Sequence, residues 1–132
     1  MQARAKSSAQ GSNPLESVLD HAVVDELRAL AQAGSPELLH RLEASFARDT
    51  PVRLIALREA VATGDADALA FNVHTLKGTA ANLGATAIVA ICQKIESFPG
   101  AGAEELGPLL TELERNAAAA TAELGRMAET GW

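Results

Sequence analysis

His74, Lys77 and Gly78 fall within one short stretch of the chain, and their spacing suits one kind of chemistry. A neutral imidazole, with an unperturbed pKa of ~6.5, is a competent nitrogen nucleophile at pH 7. On a helix, Lys77 at i+3 lies one turn further along the same face. Its ammonium can there neutralise an anion placed on the ring nitrogen. Gly78 at i+4 removes the side chain that would crowd the imidazole. A glycine inside a helix costs ~1 kcal/mol relative to alanine, so it needs a reason: close helix packing or clearance for an approaching group. At ~100° per residue, Leu69, Val73, Leu76, Ala80 and Leu83 form one apolar stripe, and Gly78 lies opposite it. Clearance is therefore the expected role. The outer face around His74 also carries Ala70, Phe71 and Ala81, where a solvated face would show charged residues.

Other chemistries find less support. His21 and His40 read as solvated residues without a role. The histidines form no i, i+4 pair and no HExxH motif, and Cys92 falls on an apolar stripe, so no metal site is expected. Cys92 reads as a small buried hydrophobe. There is no nucleophile elbow, P-loop or GxGxxG, which leaves hydrolytic triads and nucleotide binding without a motif. Eleven basic against seventeen acidic side chains give a net charge of −6, unsuited to binding nucleic acid phosphates. A single cysteine cannot form an internal disulfide and points to a reducing compartment. No apolar run approaches the ~20 residues of a membrane span, and no apolar signal segment follows the first two positive charges.

The elements that would position these residues are helical. The chain has 28 alanines and 17 leucines but only 11 valines and isoleucines together, with three phenylalanines, one tryptophan and no tyrosine. Such a mixture favours helix over strand. Residues 1–14 have no apolar periodicity and read as a disordered arm or linker, with the domain spanning 15–132. Asp20 is expected to cap a first helix to about Gln32, with Val23, Val24, Leu27 and Leu30 on its apolar stripe. Gly34 and Gly64 suit the left-handed position just past a helix end. Ser35 and Pro36 read as an N-cap with proline at the first helical position. A second helix, from Pro36 to about Thr63, would bury Leu39, Leu42, Phe46, Leu54, Leu57 and Val61, with Pro51 kinking it or breaking one hydrogen bond. Asp65 caps a third, Ala66 to Leu83, stopped by Gly84. The fourth starts near Thr86, buries Ile88, Ile91, Cys92 and Ile95, and ends at Phe98-Pro99-Gly100. The last, about Ala103 to Glu129, repeats Leu106, Leu110, Leu113, Ala117, Ala120, Leu124 and Met127, a bundle seam. Pro108 leaves its start uncertain by a turn. The expected fold is all-α: an antiparallel four-helix bundle with a short additional N-terminal helix.

The run HTLKGTAANLGA, His74 to Ala85, resembles the signature of histidine-containing phosphotransfer (HPt) domains, H-x-L-K-G followed six residues later by G-A. Ser35 to Leu39, Phe46 with Asp49 and Pro51, Gly64-Asp65, and Cys92 to Glu96 also look like the family pattern, so the likeness covers roughly Leu19 to the end. It implies that His74 accepts a phosphoryl group on Nε2 from a receiver-domain aspartate and passes it to another. Lys77 and Gly78 match the family's charge-neutralising lysine and clearance glycine. Glu96 matches a fourth-helix polar position that hydrogen-bonds the other imidazole nitrogen. On its own helix Glu96 flanks the apolar stripe, where it either holds Nδ1–H or is simply a solvated carboxylate. Gln93, one turn earlier, is placed to contact phosphoryl oxygens. Val73 stands where the family usually has a small residue, and Asn72 beside it is not expected to touch the chemistry. Lys77 is the only basic residue clearly on the histidine's face.

The resemblance implies a phosphorelay intermediate without kinase activity of its own. Its partners would be response-regulator receiver domains and, in some arrangements, a hybrid histidine kinase. No cofactor is expected on this chain, and Mg²⁺ is expected on the receiver. A monomer is expected, in the cytoplasm or as the cytoplasmic end of a membrane-bound sensor kinase. Docking would be small and transient, under ~1,200 Å², and would use Ala70, Phe71, Gly78 and Ala81 with Val23, Val24 or Leu27 of the first helix. Two rivals remain at this stage. One is a phosphate-independent helical interaction module, which needs neither the lysine nor the glycine. The other is the phosphoacceptor domain of a dimeric histidine kinase, a helical hairpin completed by a second chain.

Overall fold

The computed structural model describes residues 19–34, 37–98 and 100–129. The 1–14 arm, the Ser35-Pro36 cap and Pro99 lie outside the described residues. The described residues form five helices, α1 (His21–Gly34), α2 (Glu37–Thr63), α3 (Ala66–Asn82), α4 (Thr86–Glu96) and α5 (Ala103–Glu129), and no strand.

α2 to α5 pack each against its neighbours in sequence, and α5 returns to α2, closing the four-helix bundle; α1 lies against α2. This is the expected architecture, and the core stripes run as read. Val73, Leu76, Ala80 and Leu83 from the third helix and its cap meet Ile88, Ile91, Cys92 and Ile95 from α4. Leu106, Leu110, Leu113, Ala117, Ala120 and Leu124 of α5 complete the core with Phe46 and Leu57 of α2. The buried alanines at 117 and 120 let α5 approach closely, because their side chains are small at the contact.

Boundaries follow local chemistry. The Asp65 side chain accepts the Ala68 N–H at 3.0 Å and caps α3. Gly64 and Gly84 take φ of 70° and 74° after the ends of α2 and α3, conformations that cost glycine nothing. Glu105 Oε1 accepts the Gly102 N–H at 2.7 Å, ahead of α5.

Two expectations are corrected. Gly34 is the last residue of α1 and has no positive φ, so it is not a left-handed cap. Leu30 is 61% exposed, because α1 packs through Val24 and Leu27 while Leu30 has turned beyond the contact. α2 continues through Pro51, whose missing N–H leaves the Ala47 carbonyl without its helical hydrogen bond, the second of the two outcomes expected there.

Candidate functional site

α3 displays two faces. Its buried side holds Val73, Leu76 and Ala80, whereas Ala70, Phe71, His74, Gly78 and Ala81 are exposed. His74 therefore stands on a helix clamped from beneath, with its ring turned outward. Among the described residues no hydrogen bond or ion pair engages that ring. A Cβ built on Gly78 would meet nothing within 4 Å. Helix packing does not require this glycine, and the space one turn beyond His74 is open.

Lys77 is partly enclosed and reaches across to α4. Its Nζ donates to Glu96 Oε1 at 2.7 Å, and the two side chains keep 27% and 34% of their surface. The expected Glu96–imidazole contact is not made; the lysine holds the carboxylate instead. Glu96 is the last residue of α4, where the negative end of the helix dipole disfavours a carboxylate, so a cation arriving from α3 has an immediate partner there. Gln93, one turn back, is exposed. Beneath the pair lies the buried Cys92. Its thiol is pushed up to about 12 by burial, with Glu96 adding to the rise and Lys77 opposing it.

The face expected to meet a partner also differs from the sequence reading. Phe71 is 62% exposed and lies under the Arg53 guanidinium, 5.5 Å from ring centroid to Cζ. Arg53 Nη1 donates to Asn72 Oδ1 at 3.0 Å, and Asn72 Nδ2 donates to the Ala68 carbonyl at 2.8 Å. Asn72 is buried and links α2 to α3 two residues before His74. Arg53 thus brings a cation to the histidine's neighbourhood from α2. No spacing in the sequence signals it, because its hydrogen-bond partner Asn72 lies nineteen residues away on another helix. Of the first-helix residues, Val23 and Leu27 are half-buried, but Val24 is 3% exposed and belongs to the core, so it is not available to a partner. The small-residue requirement at Gly84 also escaped the sequence: a Cβ there would lie 2.9 Å from Val23 Cβ and 3.1 Å from the Asp20 carbonyl.

Among the described residues no group of three or more His, Cys, Asp and Glu side chains is gathered to hold a metal ion, and no helix is long and apolar enough to cross a membrane. The arrangement is that of an exposed imidazole on a rigid helix, with an open approach and one ammonium nearby.

Comparison with known proteins agrees in kind. The Hpt domain family model matches residues 25–130. The crystal structure of histidine-containing phosphotransfer protein B (HptB) from Pseudomonas aeruginosa PAO1 superimposes with a TM-score of 0.73 at 28% identity, over 90% of this chain and 98% of that one. No curated protein matches.

Proposed function

The chain belongs to the Hpt domain family and is a histidine phosphotransfer intermediate of two-component phosphorelays; from that premise we propose that His74 is the residue that carries the phosphoryl group. The observation that supports this most directly is the open space over Gly78 beside an exposed, unengaged imidazole. The Nε2 lone pair forms an N–P bond to the phosphorus of a receiver's aspartyl phosphate. The P–O bond to the aspartate breaks, and the carboxylate leaves with the electron pair while the ring keeps its Nδ1 proton. Delivery to a second receiver is the same step reversed on another aspartate. Lys77 lies one turn from the ring and neutralises the arriving charge; Gln93 stands exposed on α4, one turn before Glu96.

Receiver domains are the partners that family membership implies. Their docking surface on this chain is the outer face of α3, Ala70, Phe71, Gly78 and Ala81, with Val23 and Leu27 of α1 at its margin. Mg²⁺ bound by the receiver supplies most of the charge neutralisation in the transition state. The chain itself has no kinase activity in this reading, in keeping with a sequence that lacks a nucleotide-binding motif. It acts as a monomer, since five helices close one core within a single chain. A reducing compartment such as the cytoplasm suits its one cysteine, which is free and buried.

Label transfer tests the assignment. A phosphorylated cognate receiver should label the wild-type chain and leave His74→Gln unlabelled, with the helical signal of the variant unchanged. Undiminished label on that variant, or label mapped to His21 or His40, would remove His74 from the role.

A further inference from the structure

We propose, on the reading that His74 is the phosphoacceptor, that Glu96 disfavours the phosphorylated state and thereby keeps the phosphoryl group easy to hand on. In the resting protein the ammonium one turn from His74 is already taken: Lys77 Nζ donates to Glu96 Oε1 at 2.7 Å. Lys94, the basic residue in the last turn of α4, is exposed and makes no ion pair with Glu96 among the described residues.

Phosphorylation changes the balance at Lys77. A phosphoryl group brings about −1.5 to −2 charges to a position one helical turn from the lysine. The ammonium has three donors and can swing between two anions, but it then no longer serves Glu96 alone. The carboxylate is left at the unfavourable end of the α4 dipole, and its own charge competes with the phosphoryl group for the ammonium it holds at 2.7 Å. Both effects raise the energy of the phosphorylated state relative to a chain with a neutral amide at position 96. A glutamine would keep the size and hydrogen-bonding capacity and remove only the charge. Glu96 thus acts as a positioning residue, through its hold on Lys77.

A competition assay reads this directly. Wild type is first labelled with phosphoramidate, and the label is mapped to His74. Equal amounts of wild type and Glu96→Gln are then mixed with a trace of a receiver domain that phosphorylates the wild-type chain. The receiver equilibrates the phosphoryl group between them, so the label ratio gives their relative equilibrium constants whichever receiver is used. Label should favour Glu96→Gln by about three- to fivefold at low salt, the scale of a part-exposed ion pair. The ratio should fall toward unity in ~1 M salt, where the Debye length is ~3 Å. Glu96→Asp, which keeps the charge, should stay within about twofold of wild type. A ratio of one or below for Glu96→Gln at low salt would overturn the proposal, as would an aspartate variant that gains label as glutamine does. Those results would leave His74 in place, whereas a wild-type chain that takes no label on His74 would overturn the phosphoacceptor reading together with this inference.

Discussion

The Asp20 N–H donates to the Gly84 carbonyl, and this bond fastens the start of α1 to the turn between α3 and α4. Gly84 has φ of 74°, and an added Cβ would lie 2.9 Å from Val23 Cβ. Gly84→Ala therefore meets a left-handed backbone and a buried clash together. The expected loss is about 2 kcal/mol or more, read as a lower urea midpoint, with the Asp20 amide exchanging faster than amides in α5. An unchanged midpoint would mean that α1 is not held at this turn.

Gly78 should respond in the opposite way. Its site is exposed and open, so Gly78→Gln should hold or raise stability, by up to ~1 kcal/mol from helix propensity. The same variant should lose most phosphoryl acceptance from a receiver. A fall in melting temperature alongside the loss would assign the glycine to packing instead.

Lys77→Ala removes the ammonium beside His74 and should slow transfer about tenfold, since a charge-assisted contact is worth ~1.5 kcal/mol or more. The defect should be graded, in contrast to the complete loss expected of His74→Gln. Single-turnover transfer from a labelled receiver measures it, and a rate within twofold of wild type would exclude Lys77 from charge neutralisation.

Cys92 should be inert in the native protein. Burial pushes its thiol up to about 12, so at pH 8 almost none is thiolate, the reactive form. A thiol reagent at pH 8 should leave the folded chain unmodified for hours and react promptly once urea unfolds it. Prompt native-state modification would show that the α3–α4 interface opens readily.

Arg58 and Glu114 tie α2 to α5 through two hydrogen bonds of 2.9 Å. The Arg58 hydrogen bond holds the Glu114 carboxyl below its ordinary 4.5. A carboxylate with a lowered folded pKa contributes stability at pH values above its unfolded pKa, and loses it as pH falls through the folded value. The pair is substantially exposed, so its worth is about 0.2–1 kcal/mol. Glu114→Gln should thus lower stability at pH 7 by that amount and differ little from wild type near pH 2. Urea midpoints at the two pH values check this, and an equal loss at both would show that the charge is immaterial.

Much of this protein is readable from local pattern. The stripes at 69–83, 88–95 and 106–124 assign the core because helical period and apolar burial act over a few residues. Asp65, Gly64 and Gly84 mark ends whose chemistry is equally local. The outward position of His74, with Lys77 and Gly78 beside it, follows from the same 3.6-residue period.

What the period leaves open is anything decided between helices. Glu96 lies at the flank of α4's stripe, a place that reads equally as imidazole partner or solvated carboxylate; only the docking of α4 on α3 gives it Lys77. Leu30 and Val24 belong to one predicted stripe, yet α1 ends its contact with the bundle between them. Arg53 reads as a surface cation until α2 and α3 meet and set it over Phe71 and against Asn72. Helix period and end signals are local properties of a chain, so the elements, most of the core and the exposed histidine are legible before any packing is known. Partner choice among polar side chains depends on distances of a few ångströms across helix interfaces, and these exist only once the bundle has packed.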